Sequence, residues 1–114
     1  GVSIKRLSRK LLYKVVLVVA LLSQFIAIIA DEGRVVRRFR GCDYFIADGD
    51  RGLYVLEWYG GYDPSEGDRI SGDIGSYGFA SVTYGNVNRT GRVWVEDFLE
   101  SSSAAMDEIN DHCN

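Results

Sequence analysis

Two cysteines and one histidine are the side chains of this sequence best suited to nucleophilic or metal chemistry. Cys42 and Cys113 are the only cysteines, and His112 is the only histidine. A zinc site usually takes four Cys or His ligands, and a catalytic triad pairs a nucleophile with a histidine base. These residues fall short of a zinc set, and the serines lie in no recognisable nucleophile motif. We therefore expect no catalytic residue, no metal and no other cofactor.

Carboxylates are the remaining candidates for catalysis. Glu57 together with Asp97 or Glu96 offers an acid and base pair, which is the least that a small hydrolase needs. An acidic sequence supplies such pairs by chance, so a hydrolase is the lesser alternative and we predict that the protein is not an enzyme. Turn propensity explains four further carboxylates: Asp63, Glu66, Asp68 and Asp73.

A cluster of aromatic residues around a double glycine is the candidate binding site. Trp58 and Tyr59 precede Gly60 and Gly61, and Tyr62 follows them. Partly exposed aromatic rings combine a large apolar area with a polar edge, which suits a peptide, a glycan or a partner protein. The competing interpretation is that the rings pack inside a barrel and anchor its loops.

The two cysteines have a second use, as a cross-link. Cys42 precedes the strongest hairpin signal of the chain, and Cys113 follows the last predicted helix. In an oxidising compartment two such cysteines form a disulfide, which here would close a loop of about 70 residues. We predict a disulfide between Cys42 and Cys113. The alternative is two free thiols, with Cys113 at a frayed terminus.

The elements that position these residues begin with a predicted β-hairpin. Residues 43–47 and 53–59 are rich in aromatic and β-branched side chains, and residues 48–52 form a link rich in Gly and Asp. This composition is typical of two strands joined by a tight turn. We expect the hairpin to supply much of the core.

Further strand patterns follow at residues 69–74, 79–84 and 92–98, and glycine-rich turns separate them. Within the first of these, polar and apolar residues alternate around Ile70, which indicates a half-buried strand. Gly72 in the same strand indicates a bend or the close approach of a neighbouring strand.

The fold class follows from this order of elements. Serines from residue 101 and the spacing of Ala105, Met106 and Ile109 predict a short amphipathic helix. The whole pattern predicts a mainly β protein: a small antiparallel β-barrel or sandwich of five to six strands, with an N-terminal apolar helix and a short C-terminal helix.

Residues 67–72, with the sequence GDRISG, resemble the G-D-x-I/V-x-G strand of small β-barrels of the SH3-like and OB-like kinds. Over residues 31–100 the sequence is also similar to small uncharacterised exported bacterial proteins. The resemblance implies an exported small barrel and brings no known activity with it.

The first thirty residues have the layout of an export signal. Five basic residues lie between positions 5 and 14, residues 15–30 are uncharged, and Ala30 precedes an acidic stretch. This layout indicates either a cleaved signal peptide or a signal-anchor helix that crosses the membrane through residues 11–30. Both interpretations place the rest of the chain outside the cytoplasm, in the periplasm, at the cell surface or secreted.

The remaining chain divides into a basic linker or edge strand at residues 31–41 and a barrel domain at residues 42–114. Residues 31–114 contain 8 Arg and 16 Asp or Glu, a net charge of −8. Such a domain repels phosphate backbones, so we expect no nucleic-acid partner. The sequence predicts a non-catalytic binding or envelope-associated module, with a bitopic membrane-complex component as the alternative.

Overall fold

The computed structural model describes residues 30–113, which form six strands and one helix. The bounds are β1 Asp31–Arg38, β2 Tyr44–Gly49, β3 Gly52–Gly61, β4 Arg69–Gly72, β5 Gly78–Tyr84, β6 Arg89–Leu99 and α1 Ser102–Cys113. The predicted export segment lies outside the described residues, apart from Ala30. The mainly β class and the C-terminal helix are confirmed.

The six strands close into an antiparallel barrel in the order β1-β2-β3-β6-β5-β4. Around the barrel, β4 lies beside β1 and is followed by β2 and β3, which is the strand order of a Greek key. The expectation of an edge strand at residues 31–41 is wrong, because β1 pairs with both β2 and β4. Closure gives every strand two neighbours, although β4 and β5 pair at only two positions, Ser71 with Thr83 and Gly72 with Val82.

The predicted hairpin is formed by β2 and β3. Gly49 pairs with Gly52, so the turn consists of Asp50 and Arg51 and is shorter than the predicted link. Gly52 has a φ of 93°, a left-handed conformation that glycine adopts without strain. The strands are correspondingly longer than the sequence pattern indicates, because the glycines that bound the turn also belong to the ladder.

Two apolar clusters stabilise the fold, one on each side of the β2–β3 hairpin. The barrel interior contains the side chains that point inward from all six strands, including Phe45, Tyr54 and Leu56, none of which is exposed to solvent. The second cluster lies between the outer face of β2 and β3 and the helix α1, where Ile109 packs near Val55. The hairpin is therefore buried on both faces over much of its length.

Strand β4 confirms the role predicted for Gly72. Ile70 is buried in the barrel interior, and Gly72 pairs with Val82 of β5. A Cβ atom added to Gly72 would lie 2.5 Å from the backbone oxygen of Ser81, which is too close for any other residue. The glycine thus allows the close approach of β4 and β5.

The helix α1 is held at both ends. The backbone N–H of Ala104 donates to the Ser101 hydroxyl at 3.2 Å, which caps the first turn. At the other end a disulfide joins Cys113 to Cys42, whose Cα atoms are 5.7 Å apart. The predicted disulfide is confirmed, and it connects α1 to the segment that leads into β2.

Asp68, one of the four carboxylates assigned to turns from the sequence, is buried, with 6% of its surface exposed. It accepts hydrogen bonds from the Tyr62 hydroxyl and the Ser65 backbone N–H, both at 2.9 Å, and from Asn86 Nδ2 at 2.8 Å. Burial opposes its ionisation, but these hydrogen bonds outweigh burial and hold the pKa of Asp68 below its usual value. Asp68 thereby links β4 to the segments on either side of it.

We expect Asp68→Asn to lower the free energy of unfolding at pH 7 by about 2 kcal/mol, because an amide nitrogen cannot accept the bonds that the carboxylate accepts. The contribution of Asp68 is complete above the pKa of the unfolded state and is lost as the pH falls through the lower pKa of the folded state. Urea titrations should therefore show the two proteins converging below about pH 4. Asp73→Asn, at an exposed site, is the control. A constant difference down to pH 2 would show that Asp68 does not act through its charge.

Candidate binding surface

Three aromatic rings meet on the outer surface of β3, β6 and β5. Tyr59 and Phe79 each have 52% of their surface exposed, and Trp94 is half-buried. Phe79 lies directly opposite Trp94 in the β5–β6 ladder. The ring centroids are 4.9 Å apart for Tyr59 and Phe79 and 4.8 Å apart for Phe79 and Trp94. We call these three side chains the aromatic face.

The rings of the aromatic face stand edge to face. The interplanar angles are 87° between Tyr59 and Phe79 and 77° between Phe79 and Trp94. The guanidinium carbon of Arg92 lies 4.8 Å from the centre of the Phe79 ring, a cation–π contact. The surface is therefore ridged, and a charged group already covers one of its rings.

The structure separates the residues that the sequence placed in one exposed platform. Tyr59 reaches the outer surface, but Trp58 and Tyr62 pack against the barrel interior. Trp58 Nε1 donates to the Tyr62 backbone carbonyl oxygen at 3.2 Å. This hydrogen bond stabilises the start of the loop after β3. The three rings do not form one exposed platform: Trp58 and Tyr59 point to opposite faces because successive residues of a strand do so, and Tyr62 lies beyond the end of β3. Their role in binding stays a prediction.

Phe79 and Trp94 are surface residues that were not predicted from the sequence. Ala80, Val82 and Tyr84 are buried, so strand alternation places Phe79 outside. That signal was present in the sequence. The contact with Trp94 was not, because it depends on the register of β5 against β6.

Carboxylates from β3, β6 and α1 lie along one side of the aromatic face. Glu57 pairs with Trp94 across the β3–β6 ladder, and Glu96 accepts a hydrogen bond of 2.8 Å from Trp94 Nε1. Asp97 follows on β6, and Glu108 of α1 shares a hydrogen bond with it. We call Glu57, Glu96, Asp97 and Glu108 the acidic border.

His112 lies beside the acidic border. Its Nε2 atom is 3.5 Å from both Glu96 Oε1 and Glu108 Oε2, and its ring stacks on Tyr44 at a centroid distance of 4.5 Å. The hydrogen bond with Asp97 raises the pKa of the Glu108 carboxyl, and burial and the negative charge of Asp97 act in the same direction. His112 contacts two of the four carboxylates, so the border keeps an excess of negative charge.

The carboxylates proposed for a hydrolase do come together, but on the outside of the barrel. In residues 30–113, cavities of about 210 Å³ and 280 Å³ lie beside β1 and β4 and between β1 and α1, and neither is lined by the acidic border. Small substrates are usually bound in a cleft that encloses them. The hydrolase alternative therefore stays a prediction.

Two further findings concern metals and membranes. In the described part of the chain, no group of three or more His, Cys, Asp or Glu side chains is arranged to hold a metal ion. Across residues 30–113 no helix combines the length and the apolar character needed to cross a bilayer. The predicted membrane segment at residues 11–30 lies almost entirely outside that range.

Comparison of the chain with protein-family models, with curated proteins and with solved structures gives no match. The resemblance to small exported barrels thus stays a prediction.

Proposed function

We propose that the protein is a non-catalytic binding module that recognises a protein or peptide through the aromatic face. The observation that carries this proposal is the contact of Tyr59, Phe79 and Trp94 on the outside of a closed barrel. Exposed aromatic clusters of this kind mark interaction surfaces, and Trp, Tyr and Arg are the residues that most often dominate binding energy. The aromatic face contains Trp94 and Tyr59, and Arg92, which lies over the Phe79 ring, supplies the arginine.

The geometry of the rings favours a peptide over a glycan. A sugar ring stacks on a flat aromatic surface, whereas Phe79 stands nearly perpendicular to both neighbours and carries Arg92 on its ring. A ridged surface offers grooves for individual side chains of a peptide. Binding of a glycan, tested with an oligosaccharide array, is the outcome that would replace this choice of partner.

The proposed module acts outside the cytoplasm. Disulfides form and persist in oxidising compartments, and the Cys42–Cys113 bond supports export by a signal peptide or signal anchor at residues 1–30. Thiol titration of protein isolated from cells without a reductant tests this point. Two free thiols would place the protein in a reducing compartment.

Peptides selected from a displayed random library against the protein test the binding function. We expect Phe79→Ser to weaken the binding of the selected peptides at least about tenfold, a loss of about 1.4 kcal/mol. The reason is that Phe79 is the central ring and contacts both other members of the aromatic face. Calorimetry measures the affinity, and urea titration shows whether the variant is folded.

Val87→Ser is the matched control, since Val87 is also an exposed apolar residue but lies in the loop after β5, at the far end from Phe79. The affinity of Val87→Ser for the selected peptides should stay within about twofold of the affinity of the unsubstituted protein. Equal losses for both variants, or selected peptides that ignore Phe79, would remove the aromatic face as the binding surface.

A further inference from the structure

We infer that the partner of the aromatic face is a cationic peptide segment whose Arg or Lys side chain binds between the Trp94 ring and the acidic border. The inference rests on the proposed binding function and adds to it the chemistry of the ligand. It makes Glu57 and Glu96 specificity-determining residues.

Charge complementarity is the main argument. Glu57 and Glu96 both lie next to Trp94, one across the β3–β6 ladder and one hydrogen-bonded to the indole N–H. Within residues 30–113, the basic side chain recorded within 4 Å of Glu96 and Glu108 is that of His112, 3.5 Å from each, and an imidazole is charged only when it is protonated. A cation delivered by a partner would offset the remaining negative charge, and it would relieve the repulsion between Asp97 and Glu108.

The aromatic ring beside the carboxylates makes the site suitable for an organic cation. A guanidinium or ammonium group over an indole ring gains cation–π attraction, for which Trp is the best partner. Guanidinium can also form two parallel hydrogen bonds to one carboxylate. The aliphatic stem of the same side chain would cover apolar ring surface.

Two alternatives for the same surface fit less well. The carboxylates of residues 30–113 are not arranged to hold a metal ion. Addition of a peptide as an extra strand requires a free sheet edge, and each strand of the described barrel pairs with two neighbours, although β4 and β5 pair at only two positions. We therefore assign the specificity to the charges and rings of the surface.

The test uses the full chain and a pair of synthetic peptides. The first peptide alternates Arg with Gly and Leu, and the second contains citrulline in place of Arg, which has nearly the same shape but no charge. We expect the Arg peptide to bind at least about tenfold more tightly. Nuclear magnetic resonance locates the site: the Trp94 indole N–H signal should shift on binding, and the Trp58 indole N–H, bonded to Tyr62 inside the fold, should not.

A charge-matched pair of variants separates the site from the general acidity of the domain. Glu57→Gln with Glu96→Gln should weaken binding of the Arg peptide about tenfold, whereas Asp48→Asn with Asp73→Asn removes the same charge at exposed sites elsewhere and should change it less than about twofold. If the double variant fails to fold, the single variant Glu57→Gln replaces it in the test, because it keeps the two carboxylates that contact His112, Glu96 and Glu108. It should weaken binding about threefold.

The outcomes distinguish this inference from the proposed function. Equal losses in both double variants, or no binding of the Arg peptide, would overturn the inference. If the peptides selected from the random library need Phe79 but carry no cation, the binding function stands and the inference fails. If the selected peptides ignore Phe79, both fail.

Discussion

Replacement of both Cys42 and Cys113 by Ser should lower the free energy of unfolding by about 4 kcal/mol. The bond spans 71 residues of sequence, so its loss frees a large loop in the unfolded chain. A domain of this size has a total stability of only about 5 to 10 kcal/mol, and the variant should be close to its unfolding midpoint at 37 °C. Urea titration followed by circular dichroism measures the difference.

Treatment of the original protein with a reductant is the control for side effects of the substitutions, and it should give the same loss. We expect α1 to detach first, because a helix of 12 residues is marginal in water without its packing and its tether. Glu108 and His112 are on this helix, so the Arg peptide should also bind more weakly. Identical urea midpoints with and without the bond would refute the stabilising role.

Tyr54→Ala should cost about 3 to 5 kcal/mol, the second largest effect that we expect. Tyr54 is fully buried in the barrel interior, and its ring meets Phe98 edge to face at 5.5 Å. Its hydroxyl donates to Asp31 Oδ2 at 2.8 Å and accepts from the Arg51 backbone N–H at 3.1 Å. Truncation would leave a cavity and would remove the acceptor of the Arg51 backbone N–H, whereas Asp31 Oδ2 keeps its 2.9 Å bond from Arg51 Nε.

Tyr54→Phe isolates the hydroxyl and should cost about 1 to 2 kcal/mol at pH 7. Burial and then the hydrogen bond to Asp31 raise the pKa of Tyr54 to about 12. A raised pKa stabilises the fold below the unfolded value of about 10, and this contribution is lost as the pH rises through about 12. Urea titrations should show the loss between pH 10 and 12 to be smaller in Tyr54→Phe. Tyr59→Ala, on the surface, should be nearly neutral.

The closed barrel explains why the proposed recognition depends on so few residues. Each described strand pairs with two neighbours, so we expect side chains on the outer surface to supply most of the affinity. The aromatic face and the acidic border are adjacent because β6 contributes to both: Trp94 is in the first, and Glu96 and Asp97 are in the second. A single strand thereby contributes an aromatic ring and carboxylates to the proposed binding surface.

Local features of the fold could be read from the sequence. The hairpin of β2 and β3, the short helix α1, the tight approach at Gly72 and the disulfide between Cys42 and Cys113 all follow from residue types within a few positions or from the presence of just two cysteines. Strand alternation, turn composition and helix caps act over that range, so they leave a direct pattern in the sequence.

Tertiary structure alone decided which strands are neighbours and which aromatic rings are exposed. Strand β1 was expected at an edge of the sheet, but it pairs with β4 and so closes the barrel. Side chains alternate between the two faces of β3, so that Trp58 points inward and Tyr59 points outward. The burial of Asp68, the contact of Phe79 with Trp94 and the gathering of the acidic border depend on the register between strands far apart in sequence. Register is selected by the packing of the whole barrel, which no segment encodes by itself.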